Sequence, residues 1–109
     1  VGAEPAPATS GMLVVRQGSK RGSRITLDAD KVTIGRHPDS DIFLDDITVS
    51  RRHAEIHRTP VGYDVVDAGS LNGTYINRAL IERSPLTDGD ELQVGKFKLV
   101  YVALEEDEA

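Results

Sequence analysis

Short apolar runs with period-two alternation recur roughly every eight to twelve residues, separated by turn-forming residues, and a chain patterned this way folds as a β-sandwich or barrel. The runs are Met12–Arg16, Arg24–Leu27, Lys31–Ile34, Ala54–His57, Tyr63–Val66, Thr74–Ile76, Glu91–Val94 and Phe97–Val102. In the fourth of these, Ala54 and Ile56 fall on one face and Glu55 and His57 on the other, as alternating strand side chains must. β-Branched residues are frequent in the runs, which favours strands over helices. Gly95-Lys96 has the spacing and composition of a two-residue hairpin loop, and Asn72-Gly73 and Asp88-Gly89 are further turn dipeptides. The stretch Asp39–Arg52 contains neither Gly nor Pro and has room for a short helical turn. No long amphipathic helix is present, so the expectation is an all-β domain with long loops around residues 36–52 and 67–73.

The chain of 109 residues, 39% hydrophobic with ten glycines, has material for one modest core. Residues 1–11 are rich in Ala and Pro and read as a flexible linker, residues 12–103 as the folded domain, and residues 104–109 as an acidic tail. Val1 in place of an initiator Met suggests a piece of a longer protein. There are no cysteines, which excludes disulfides, thiolate zinc sites and a cysteine nucleophile, and fits a cytoplasmic location. No apolar run approaches the ~20 residues that span a bilayer, and no secretory signal opens the chain. The formal net charge of -5 argues against a nucleic-acid binder, which requires a basic face for phosphates.

Against this acidic background, the two loops concentrate arginine and small polar residues. The first holds Gly35-Arg36-His37-Pro38 and then Asp45-Asp46-Ile47-Thr48-Val49-Ser50-Arg51-Arg52-His53; the second reads Asp67-Ala68-Gly69-Ser70-Leu71-Asn72-Gly73-Thr74. Arginine presents a planar fork of donors that matches phosphate oxygens. Serine hydroxyls and loop amides add donors, and asparagine can bridge the backbone of an extended peptide. A phosphothreonine carries roughly -1.5 to -2 charges and three acceptor oxygens, so it needs several such groups at once. Converging loops of this composition suit the arginine-cluster mode of phosphopeptide recognition.

In order and spacing, Gly35-Arg36, Ser50-Arg51-Arg52-His53 and Asn72-Gly73-Thr74 resemble the signature of forkhead-associated (FHA) domains, across roughly residues 12–102. The string from Ile34 to Asn77 is similar to FHA domains of actinobacterial signalling proteins, including small regulators that inhibit central metabolic enzymes. The resemblance implies a two-sheet β-sandwich of about eleven short strands with binding loops at one end. It implies a monomeric phosphothreonine-binding module in Ser/Thr-kinase signalling, without catalysis, cofactor or metal. Its partners would be phosphothreonine-containing proteins, a Ser/Thr kinase among them, with no nucleic acid and no membrane insertion. By position, Arg36 and Ser50 would grip the phosphate and Arg51 would add a contact. Asn72 would bind the peptide main chain, with Ser70 and the Leu71 backbone lining the same pocket. Gly35, His53 and Gly73 would be structural, His53 by bracing the binding loop. Leu71 departs from members with a polar residue there and has only its amide to offer.

Blander readings stand beside these. Arg52 suits a surface role or an ion pair with Asp45 or Asp46. The acids Asp39, Asp41, Asp45 and Asp46 lack the glycine and terminal glutamate of a calcium loop, and His37, His53 and His57 lack zinc spacing. Ser50, His53 and Asp67 supply the residue types of a catalytic triad but no nucleophile elbow. Residues 89–96 miss the phosphate-loop spacing of nucleotide-binding enzymes. A phosphate-independent interaction module is the remaining rival.

Overall fold

The computed structural model describes residues 10–104, none of them helical. Eleven strands follow one another: β1 Ser10–Gln17, β2 Arg24–Leu27, β3 Lys31–Gly35, β4 Ile42–Phe43, β5 Ala54–Thr59, β6 Gly62–Asp67, β7 Thr74–Ile76, β8 Ala79–Ile81, β9 Arg83–Pro85, β10 Glu91–Val94 and β11 Phe97–Leu104. They form a six-stranded sheet, ordered β2-β1-β11-β10-β7-β8, and a five-stranded sheet, ordered β4-β3-β5-β6-β9. The sandwich is thus the one the sequence leads one to expect. Each of the eight apolar runs lies in a strand.

Three strands have no counterpart among those runs. Ile42 and Phe43 pair in parallel with Ile34 and Gly35, so the stretch with room for a helical turn contributes a two-residue edge strand. β7 and β8 form a hairpin in which Ile76 pairs with Ala79, leaving Asn77-Arg78 as a two-residue loop with φ of 51° and 72°. Both central residues are left-handed, as a type I′ turn demands, but the sequence lacks the Gly that usually marks it. β9 ends in Pro85 and takes the edge of its sheet, where a missing N–H is tolerated.

At the chain ends, Ser10 and Gly11 pair with Leu104 and Ala103, so β1 begins inside the segment expected as linker and β11 reaches the first residue of the expected tail. The remainder of those two segments, residues 1–9 and 105–109, lies outside the described residues.

Alternation does the folding work. Leu13 and Val15 of β1, Ile34 of β3, Ile56 of β5, Val65 of β6, Leu92 and Val94 of β10, and Phe97 and Leu99 of β11 are each at most 1% exposed. Burying one such side chain fully contributes about 1.5–3 kcal/mol. Tyr63 crosses the core edge-to-face with Tyr101, with ring centroids 6.2 Å apart, and its hydroxyl donates to the Leu27 carbonyl at 2.8 Å, so its one polar atom is satisfied. No described helix is long and apolar enough to cross a membrane.

Candidate functional site

The loops that follow β3, precede β5 and join β6 to β7 meet at one end of the sandwich, beside the β10–β11 hairpin turn. The loop before β5 is fixed from both sides. Leu44 and Val49, at 0% and 1% exposure, anchor it in the core, while its backbone lies along the end of β3. Arg36 N–H donates to Ser50 O at 2.9 Å, His37 N–H to Arg51 O at 3.3 Å, and His53 N–H to Ile34 O at 3.0 Å. Gly35 makes this approach possible, because a Cβ there would collide with the Arg51 carbonyl oxygen. The glycine before Arg36 is therefore a packing requirement.

His53 is fully buried. Its Nδ1 accepts the Ser50 N–H at 3.0 Å, so Nε2 carries the proton and donates to the Gly73 carbonyl at 2.8 Å. One ring thereby ties the two loops together, and Gly73 makes the adjoining turn at φ 90°. This geometry also separates the triad residue types: both ring nitrogens of His53 are occupied by backbone groups, and Asp67 faces other partners.

Asp67 organises the second loop. Its Oδ2 accepts Gly69 N–H at 3.0 Å and Ser70 N–H at 3.1 Å; its Oδ1 accepts the Ser70 hydroxyl at 2.6 Å and the Thr74 hydroxyl at 2.7 Å. Burial pushes this carboxyl up, but the bonds from Ser70, Thr74 and Gly69 together outweigh it and hold it below its ordinary value. Ser70 Oγ in turn accepts Gly73 N–H at 2.9 Å. With its one proton on Asp67, Ser70 braces the turn from within and has no donor left for a ligand.

Ser50 is placed differently. Its Oγ accepts the Leu71 amide at 2.9 Å, and the hydroxyl proton has no acceptor among the described residues. Beside it, Arg36 Nε donates to Val49 O at 3.0 Å, which fixes the guanidinium plane, and its terminal nitrogens have no partner among the described residues. Arg51 is exposed, and its side chain has no ion-pair or hydrogen-bond partner among the described residues. Asn72 is exposed; its Nδ2 donates to Thr48 O at 3.0 Å, and its Oδ1 has no hydrogen-bond partner among the described residues. Arg36, Ser50, Arg51, Leu71 and Asn72 thus belong to loops joined at one pole, with donors left over. Arg52 makes no ion pair with Asp45 or Asp46.

A further set supports the pole without having stood out in the sequence. Asp46 Oδ2 accepts Thr48 N–H at 2.8 Å and the Thr48 hydroxyl at 2.5 Å; its Oδ1 pairs with Lys96 Nζ at 3.0 Å. Thr48 Oγ1 also accepts Lys96 N–H at 2.9 Å. The Thr48 bonds, with Lys96 next, hold the Asp46 carboxyl down at about 2. Asp-x-Thr and Asp-x-Gly-Ser are local turn signals that mark Asp46 and Asp67 in retrospect. The reach to Lys96 has no such signal. Among the other acids, Asp41 accepts the mid-strand Thr33 N–H of β3 at 2.9 Å, and no group of three His, Cys, Asp or Glu among the described residues is placed to hold a metal.

A family model described as FHA domain matches residues 32–95. The "Oxoglutarate dehydrogenase inhibitor" of Corynebacterium jeikeium is 57% identical over 101 residues, covering 93% of this chain and 70% of that protein. The "Glycogen accumulation regulator GarA" of Mycolicibacterium smegmatis is 54% identical over 101 residues, covering 93% of this chain and 64% of that protein. Among solved structures, Mycobacterium tuberculosis EmbR in complex with a low-affinity phosphopeptide aligns with a TM-score of 0.81 at 29% identity, over 92% of this chain and 26% of EmbR. A domain solved for "phosphothreonine-dependent FHA domain interactions" aligns with a TM-score of 0.78 at 31% identity, over 92% of this chain and 99% of that one.

Proposed function

This chain belongs to the FHA domain family, and we propose that it is a phosphothreonine-binding module of Ser/Thr-kinase signalling whose binding pole is built by Arg36, Ser50, Arg51, the Leu71 amide and Asn72. One observation carries the assignment of roles. The Ser50 hydroxyl oxygen is held by Leu71 N–H at 2.9 Å, which leaves its proton to donate next to two arginines without carboxylate partners. A phosphate dianion accepts from all three, and charge-assisted bonds of this kind are short and strong. Asn72 Oδ1 then accepts an amide of the bound segment. Ser70, Gly35, His53 and Gly73 hold the loops in place.

Nothing in this scheme turns over a substrate: the domain recruits, and its effect on a partner is exerted by occupancy. The names of the two curated relatives support a parent protein that restrains a central metabolic enzyme, an oxoglutarate dehydrogenase being the first candidate, with a Ser/Thr kinase as the writer of its marks. The domain acts as a monomer in the cytoplasm. A phosphate-independent contact at the same pole is favoured by Ile47 and Leu71, which are 90% and 89% exposed there.

The test is a titration of the domain with one peptide library in phosphothreonine, phosphoserine and unphosphorylated forms, repeated with Arg36→Ala. Binding confined to phosphothreonine and lost in the variant is expected. Equal binding of all three forms, unaffected by Arg36→Ala, would overturn the reading.

A further inference from the structure

A groove of about 460 Å³ opens beside Asn72 across the outer face of the six-stranded sheet. Thr48, Asn72, Tyr75, Arg78, Gln93 and Lys96 contribute to its walls, and no carboxylate does. Lys96 is already paired with Asp46 at 3.0 Å. Arg78 is exposed and has no ion-pair or hydrogen-bond partner among the described residues.

The position of Arg78 makes this notable. It occupies the second site of the β7–β8 turn with φ 72°, a left-handed conformation that glycine adopts freely and a long L side chain does not. Its neighbour Asn77 shares the strain but has a structural reason for it. Asn77 Nδ2 donates to Asp90 Oδ1 at 2.9 Å, and its Oδ1 accepts Glu91 N–H at 3.0 Å. The Arg78 backbone is left-handed because the type I′ turn requires it, but its side chain has no comparable role in the fold among the described residues. An unpartnered guanidinium carried on a tight hairpin turn, at the rim of a groove that abuts the binding pole and has no carboxylate in its walls, points to an anionic ligand.

We propose that Arg78 is a specificity-determining residue that selects, in this groove, an acidic side chain of the bound segment on the Asn72 side of the phosphothreonine. The inference rests on the phosphothreonine reading above. A groove with one unpaired guanidinium and no acid, in a chain of net charge -5, is complementary to Asp or Glu and repels Lys or Arg. The aromatic wall of Tyr75 accommodates the methylene stem of the same residue.

The experiment scans Asp, Ala and Lys through each position flanking phosphothreonine in a synthetic peptide, against wild type, Arg78→Gly, Arg78→Glu and Arg36→Ala. Wild type should favour Asp over Ala at one position on one side by about threefold to fivefold, the scale of a partly exposed ion pair. Arg78→Gly should abolish that preference, keep phosphothreonine binding and melt at or above the wild-type temperature; Arg78→Glu should reverse the preference toward Lys. An acid preference that survives both substitutions, or none in wild type, overturns the role of Arg78 while leaving phosphothreonine recognition intact. Loss of phosphothreonine dependence across all four proteins would instead remove the reading beneath it, and the inference with it.

Discussion

The Leu71 amide donates to the Ser50 hydroxyl oxygen at 2.9 Å, joining two loops that lie 21 residues apart in sequence. The bond gives Leu71 a place in the loop junction through its backbone, independent of its side chain. The contribution comes from the backbone and is delivered through Ser50. Ser50→Ala removes the link between the loops and the free proton together, so phosphothreonine-peptide affinity should fall by about 1.5–3 kcal/mol, the value of a hydrogen bond to a charged group. Arg36→Ala should lose roughly 2–5 kcal/mol. Calorimetric titration measures both, and the thermal melt of each variant should stay close to wild type because both residues sit on the rim of the fold.

Ser70→Ala should behave in the opposite way. Its hydroxyl links Asp67 to Gly73 N–H inside the loop, so the variant should lose about 1–3 kcal/mol of stability from the partners left unsatisfied, with a smaller loss of peptide affinity. Urea unfolding alongside the titration separates the two. A larger affinity loss than that of Ser50→Ala would mean that Ser70 faces the ligand.

Gly35→Ala introduces a Cβ against the Arg51 carbonyl. The loop carrying Ser50 and Arg51 must move away from β3, weakening the Arg36–Ser50 and His37–Arg51 backbone bonds. Overpacking of this kind costs about 1–3 kcal/mol, and binding should fall with it although no phosphate contact has been deleted. Amide chemical-shift changes should concentrate on residues 35–37 and 50–53.

His53→Leu keeps the volume near that of histidine but leaves Ser50 N–H and the Gly73 carbonyl without partners, each at a cost of about 1–3 kcal/mol. The melting temperature should drop markedly and binding should weaken in parallel. Wild-type stability with the variant would show that the two loops do not depend on the ring.

Acid should weaken the fold through two carboxylates held below the ordinary 3.8, Asp46 at about 2 and Asp67 in the same direction. For groups with depressed folded values the unfolded chain binds more protons in acid, so their stabilisation is fully present above about pH 4 and is lost as the pH falls toward 2. A urea-unfolding series from pH 7 to pH 2 should be nearly level at first and then fall, and Asp46→Asn and Asp67→Asn should each flatten the acid limb. The wild-type slope surviving in both variants would assign it to other carboxylates.

What the sequence makes legible follows from which interactions are local. Strands with sustained alternation, such as Phe97–Leu104, declare themselves. β4 is too short at two residues to show a period, and β8 hides behind an Asn-Arg turn lacking the usual glycine. In the site, Arg36, Ser50 and Asn72 stand out because their residue types suit phosphate and peptide in the order the family uses. Asp46, Thr48 and Lys96 do not, because the bond from Lys96 to Thr48 spans 48 residues and exists only once the β10–β11 turn has been packed against the loop. Ser70 shows the converse: its type suits a donor role, yet the carboxylate three residues before it takes the proton.

The pairing of Ser10 with Leu104 has a consequence for architecture. Facing residues on adjacent antiparallel strands have Cα atoms only about 5 Å apart, so the first and last described residues emerge side by side. β11 starts at the hairpin beside the loops that carry Arg36 and Ser50 and ends at Leu104, which puts that exit at the opposite pole. The domain is therefore built like a cassette: it can be spliced into a surface loop of a host protein with little strain at the junction, and it will present its arginines away from whatever carries it.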